Sequence, residues 1–172
     1  NSICVAMCDT KNQEKIRMDI SKKVSIIMGI YNCAETLNEA IDSIINQTYS
    51  NWEFIICDDG SKDDSYRIAK GYEIKDPNRF KVIQNGKNKG LNVTLNKCLE
   101  IATGEYVARM DGDDICDPMR FQKEVEILNN HPEYAIVSSY MTTFDERGDW
   151  GCIKTLEEPQ IKDFPTHVPM FC

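Results

Sequence analysis

The sequence has no Cys-x-x-Cys pair and only two histidines, His131 and His167. Its eight cysteines, at positions 4, 8, 33, 57, 98, 116, 152 and 172, are scattered. A structural zinc site needs four closely spaced sulfur or nitrogen ligands, so this pattern argues against one. Cys57 falls in a strand pattern and Cys98 on the apolar face of a helical stripe, which suits reduced thiols in a core and a reducing compartment. Apolar runs are only a few residues long, so nothing here spans a bilayer. The first ten residues lack a basic start and a long apolar centre, so they are not expected to be a secretory signal. There is no basic excess either. Lys and Arg number 20 against 28 Asp and Glu, a net charge of −8. That excludes an ordinary nucleic-acid surface but suits an anionic ligand held through a metal ion. Neither GxGxxG nor GxxxxGK[ST] occurs, so a nucleotide would have to be bound without the dinucleotide fingerprint or the P-loop.

What is present is alternation. Hydrophobic residues make up 41% of 172 residues, enough for the core of one domain. Val24–Ile30 is a continuous apolar run, the pattern of a strand buried on both faces. Leu37, Ala40, Ile41, Ile44 and Ile45 then lie on one helical stripe. Trp52–Cys57 reads as a strand and residues 64–75 as a helix stopping before Asp76-Pro77. Phe80–Gln84 is a third strand, and Leu91, Leu95, Cys98, Leu99 and Ala102 form a further stripe. Glu105–Met110 is a fourth strand. Asp117-Pro118 opens a helix that carries Phe121, Val125 and Leu128. Ala135–Ser139 is expected as a fifth strand. The order β-α-β-α-β-α-β-α-β predicts an α/β fold with a mostly parallel, doubly wound sheet and right-handed crossovers. Residues 1–22 are expected to be a poorly defined arm, residues 23–141 the core, and residues 142–172 the beginning of a further region, with a short strand near Trp150–Ile153.

In such a sheet ligands bind beyond the carboxyl ends of the strands. Three clusters of acidic or small residues fall there: Gly29–Asn32, Asp58–Ser61 and Asp111–Asp114. The last places three carboxylates in four positions. At ~4 Å and an effective dielectric near 20, each like-charge pair costs about 4 kcal/mol, so a cation is a natural companion. Oxygen donors of this kind suit Mg2+ or Mn2+. A solvated acidic turn is the plain alternative. Asp58 and Asp59 could cap the following helix, and Tyr31 could be an ordinary half-buried aromatic. Lys87 and Lys89 could meet phosphate or simply solvate a loop. Asp117 suits a helix cap better than a ligand, and Gln47-Thr48 suits a helix-terminal turn.

Four segments together are specific. Val24–Asn32, Ser43–Thr48, Phe54–Ser61 and Gly104–Asp114, followed by Pro118 and Arg120, resemble the inverting family 2 glycosyltransferases of the GT-A fold. The resemblance runs from about Lys23 to Met141. It implies a nucleobase pocket lined by Gly29 and Tyr31, with Asp59 reading the base and Asp58 beside it. It implies a metal-binding DxD motif in Asp111 and Asp113, Asp113 being the more direct metal ligand of the two, and Asp114 supporting the motif or touching the donor sugar. It implies a nucleotide-diphosphate sugar as donor, a UDP-sugar favoured, with Mg2+ or Mn2+ as cofactor. The acceptor would be a hydroxyl on a glycan or lipid-linked glycan, as in surface polysaccharide synthesis. The full protein would be cytoplasmic, in peripheral contact with the inner face of the membrane.

Two departures bear on that reading. Many members carry an Arg and a Gly on the helix after the Gly-rich loop, where this chain has Leu95 and Cys98, although Asn96 is kept. The general base of such enzymes lies well downstream of the DxD motif, and none of Asp145, Glu146, Glu157, Glu158 or Asp163 has a context that marks it. The base is therefore expected beyond Cys172. The alternative is a nucleotide-sugar-binding fragment without turnover. A receiver-type signalling domain, which shares the acidic strand ends, would need a late-strand Lys that is missing here.

Overall fold

The computed structural model describes residues 2–5, 22–145 and 148–153. Val24–Ile30 (β2), Trp52–Asp58 (β3), Phe80–Gln84 (β4) and Tyr106–Arg109 (β5) form a parallel sheet in the order β4-β3-β2-β5. β3 is buried along its whole length, as its near-continuous apolar run requires of a strand covered on both faces. Alternate residues of β2 serve different layers. Val24, Ile26, Met28 and Ile30 pack in one core with Leu37, Ala40, Ile41 and Ile44 of helix Leu37–Ile45 (α1). Ala69 of helix Ser65–Lys75 (α2) and Phe121 and Val125 of helix Arg120–Asn130 (α4) join that core. Ile27 faces the other way, with Ile55, Cys57 and Cys98 of helix Leu91–Ile101 (α3). Helices therefore cover both faces, and the fold is the expected doubly wound α/β arrangement. Cys57 and Cys98 are buried free thiols, as expected.

A second, mixed sheet was not foreseen. Ser2–Val5 (β1) lies between Ile115–Cys116 (β6) and Tyr140–Asp145 (β7), and β7 turns into Gly148–Ile153 (β8), giving the order β6-β1-β7-β8. The expected arm thus contributes a strand, parallel to β6 and antiparallel to β7. The boundary expected at residue 142 falls inside β7. The short strand expected near Trp150–Ile153 is β8.

Ala135–Ser139 is not a strand. It lines one wall of a cavity of about 370 Å3 whose other wall is β5 and α4, and Ile136 is 77% exposed. An apolar run becomes a strand only where it reaches a partner's backbone. Here the paired segment begins one residue later, at Tyr140. The helix expected from Pro118 opens at Arg120, because Asp117 takes the amide of Met119 on its own carboxylate in a turn.

One buried charge ties the sheet to its flank. Glu53 on β3 is 1% exposed. Its carboxylate accepts from the Ser25 hydroxyl at 2.7 Å and from the Thr103 amide and hydroxyl at 2.7 and 2.8 Å. Lys23 and Lys81 sit at 3.0 and 3.1 Å. Burial alone would push its pKa up, but these hydrogen bonds hold the group well below its ordinary value. The folded state therefore prefers ionised Glu53. Its contribution is complete above the ordinary value of 4.5 and is lost as pH falls below it. Glu53→Gln should lower the free energy of urea unfolding near pH 7 by roughly 1–3 kcal/mol. Repeated towards pH 3, the gap between variant and wild type should narrow, because the unfolded state takes up a proton there that folded Glu53 does not.

Candidate active site

Parallel pairing puts the carboxyl ends of β2, β3 and β5 side by side, and the three clusters singled out from the sequence meet there. Neighbouring strands lie about 4.8 Å apart, so the end of β3 is about 10 Å from the end of β5. Asp58 and Asp59 stand at the first, Tyr31 at the end of β2 between them, and Asp111 at the second.

Asp58 is fully buried. Its Oδ2 accepts from the Gly60 amide at 3.1 Å, the Ser61 amide at 3.1 Å and Gln84 Nε2 at 2.9 Å. That closes a turn rather than capping a helix. Asp59 is 4% exposed and grips the next loop. Oδ1 accepts from Asn85 Nδ2 at 2.7 Å and the Lys89 amide at 2.9 Å, and Oδ2 from the Gly90 amide at 2.8 Å. Burial works against its charge, but these donors outweigh it and keep the carboxyl below its usual range. Gly60 has φ of +78°, and a Cβ there would lie 2.9 Å from the Lys87 carbonyl carbon. The two loops therefore touch where only glycine fits. Lys87 and Lys89 themselves are exposed.

Tyr31 presents a ring that is 46% exposed. The loop after it is stitched to the loop before α2. The Asn32 amide donates to Ser61 Oγ at 3.0 Å, and the Lys62 amide donates back to Asn32 Oδ1 at 2.8 Å. The Cys33 and Ala34 amides donate to Ser65 Oγ at 2.9 Å and Asp63 Oδ2 at 3.0 Å. Asn32 takes φ of +52°, a left-handed conformation that Asn tolerates better than most residues. Sequence reasoning missed this clasp and the part Asp63 plays in it. The polar run from Ser61 to Ser65 was the available signal. Gly29 has a packing reason as well as a positional one. A Cβ there would meet Leu91 Cδ1 at 2.8 Å and Thr94 Cγ2 at 3.2 Å, so α3 could not approach β2.

The acidic turn is built from several sides. The Asp114 amide closes it onto the Asp111 carbonyl at 3.3 Å, and Thr36 Oγ1 donates to the Gly112 carbonyl at 2.8 Å. Cys33 Sγ lies against Gly112, 2.8 Å from where a Cβ would stand. Burial pushes the Cys33 thiol up, and the charges of Asp63 and Asp113 add to this, so it remains a neutral thiol. Asp111 is held by Arg109, whose Nη2 lies 3.0 Å from both carboxylate oxygens and whose Nε lies 3.3 Å from Oδ1. Asp113 is exposed and Asp114 half-buried. Behind the turn, Gln47 Nε2 donates to the Asp117 carbonyl at 2.7 Å and its Oε1 accepts the Phe121 amide at 3.2 Å. Gln47-Thr48 thus anchors the segment leading to α4 as well as ending α1.

The model of the family described as "Glycosyl transferase family 2" matches residues 25–168. The chain belongs to this family. It is 49% identical over 146 residues to the putative glycosyltransferase EpsE of Bacillus subtilis, covering 84% of this chain and 52% of that protein. It is 36% identical over 126 residues to an Escherichia coli protein named UDP-Glc:alpha-D-GlcNAc-diphosphoundecaprenol beta-1,3-glucosyltransferase WfaP, covering 70% and 49%. The chain thus spans about half the length of these relatives. Among solved structures, Staphylococcus aureus TarS 1-349 in complex with UDP-GlcNAc superposes with a TM-score of 0.60 at 26% identity, over 64% of this chain and 32% of that one. The mannosyltransferase PcManGT from Pyrobaculum calidifontis, in complex with GDP-Man and Mn2+, shares the fold with a TM-score of 0.59 at 24% identity, over 69% and 36%. The fold is therefore GT-A, that of a member of glycosyl transferase family 2.

The donor set fits a divalent cation of the Mg2+ or Mn2+ kind. Such ions are commonly held by one or two carboxylates, with substrate phosphates and water completing the shell. Among the described residues no three His, Cys, Asp or Glu side chains form a ready metal group. The exposed Asp113 offers an oxygen pair to solvent, next to Asp111. This is the arrangement expected of a site completed by its ligand.

The buried grip of Asp59 makes a direct prediction. Asp59→Ala takes the shared acceptor from the Asn85 side chain and the Lys89 and Gly90 amides, leaving Asn85 Nδ2 only Thr94 Oγ1 and the Gly90 amide only Asn88 Oδ1, each at 3.1 Å. It should lower stability by roughly 2–3 kcal/mol in urea unfolding. It should also raise amide hydrogen exchange selectively over residues 85–90.

Proposed function

We propose that this family 2 chain carries the donor half of an enzyme that moves a sugar from a nucleotide-diphosphate donor to an acceptor hydroxyl with inversion. The reading rests on one observation: Tyr31, Asp58-Asp59 and Asp111–Asp114 share one rim of a parallel sheet, about 10 Å from end to end. That span leaves room for a ribose between a base and a diphosphate. Tyr31 offers its exposed ring to the base. Gly29 lets α3 pack close behind Tyr31, and Asp59, with Asp58 beside it, fixes the loops that border the base, their buried oxygens being engaged by the Gly60, Ser61, Lys89 and Gly90 amides and by Gln84 and Asn85. Asp111 and Asp113 face the diphosphate, with Asp113 the direct metal ligand. Asp114 lies beside them towards the donor sugar. A bound Mg2+ or Mn2+ would act there as a Lewis acid for the departing diphosphate.

A UDP-sugar is favoured, in keeping with the named donor of WfaP and the UDP-GlcNAc bound to TarS. A glycan or lipid-linked acceptor agrees with the diphosphoundecaprenol in the name of WfaP. Synthesis of a surface polysaccharide at the cytoplasmic face of a membrane follows from that acceptor. Among the described residues no helix is long and apolar enough to cross a membrane.

Calorimetry with UDP and with GDP, each with and without Mn2+, tests the donor site. UDP should bind in the Mn2+ titration and at least tenfold more weakly without the ion, a difference of about 1.4 kcal/mol. Asp113→Asn should remove the Mn2+ dependence while leaving the fold intact by circular dichroism. Absence of metal-dependent binding to either nucleotide would rule the donor site out. Transfer to a glycan acceptor by the 172-residue chain itself would place the general base within it.

A further inference from the structure

Asp111 and Asp113 are two residues apart on one turn, yet their surroundings differ. Asp111 carries a guanidinium on both oxygens, with side-chain exposures of 27% for Arg109 and 33% for Asp111. Asp113 is exposed. Arg109 is the last residue of β5, and its carbonyl accepts from Arg120 Nη2 at 3.5 Å, so its backbone is held by a buried neighbour. Other cations are badly placed to do its work. Lys87 and Lys89 follow β4, three strand spacings away, or about 14 Å. α3 turns Leu95 into the apolar layer with Ile27 and Ile55.

A guanidinium and a divalent cation compete for the same carboxylate lone pairs. A fork bound to both oxygens also fixes the carboxylate's plane in a way a lysine cannot. We propose that Arg109 is a positioning residue that gives the two aspartates different tasks. It holds Asp111 in a set orientation towards the donor and out of the metal's inner shell, leaving Asp113 as the ligand. The inference rests on the nucleotide-sugar reading above and refines it.

The test compares wild type, Arg109→Gln, Arg109→Lys and the double variant Arg109→Gln/Asp111→Asn. Free Mn2+ is followed by electron paramagnetic resonance without nucleotide, and UDP binding by calorimetry at saturating Mn2+. In Arg109→Gln, Asp111 is released and a positive charge is lost. Mn2+ should bind the nucleotide-free protein about 3- to 10-fold more tightly, while UDP should bind about 10-fold more weakly. A merely structural residue would weaken both together. Arg109→Lys keeps the charge that the fold needs and should show the same opposed shifts at smaller size. The double variant should lose the gain in Mn2+ affinity, because Arg109 acts through Asp111. Parallel losses, or equal Mn2+ binding in all four proteins including none in any, would overturn the assignment. If wild type binds no UDP, the donor reading fails, and the nucleotide-free Mn2+ comparison still decides the role of Arg109.

Discussion

All four strands of the central sheet run in one direction, and the site depends on that. Parallel pairing puts every carboxyl end on the same rim, so loops distant in sequence become neighbours. The pairing is held by burial on both faces: β2 gives Val24, Ile26, Met28 and Ile30 to one helical layer and Ile27 to the other. A one-residue slip of β2 would exchange these sets and carry Tyr31 to the wrong side of the rim. The register Ile30 to Asp58 and Ile27 to Arg109 therefore sets the geometry of the site.

Within that frame the rim carboxylates find their partners by different means. Asp58 and Asp59 are buried and draw on amides of their own turn and of the loop after β4. Asp111 draws on a guanidinium, and Asp113 on solvent. The gradient runs from fixed to available. The buried pair fixes the loops of the rim, and the exposed one can exchange water for a ligand.

Much of this was legible in the sequence, and the limits are physical. The strands and helices from Val24 to Ile101 follow from unbroken or 3.6-spaced apolar runs, because each buries its own pattern. Ala135–Ser139 had the same apolar look and is not a strand, since a ladder needs a partner within reach and β5 is across a cavity. Ser2–Val5 looked weak alone and is a strand because β6 and β7 flank it.

The acidic clusters themselves, their order and their place after apolar runs were determined by the sequence, since residue type and strand direction are local properties. Tertiary structure decided what each carboxylate does. That Asp59 clasps residues 85–90, that Asn32 and Asp63 lock the Tyr31 loop, and that Arg109 rather than a helix cation pairs with Asp111 all depend on distances of about 3 Å. Those distances are set only when the layers pack, because a hydrogen bond made across the fold leaves no periodic trace in the chain.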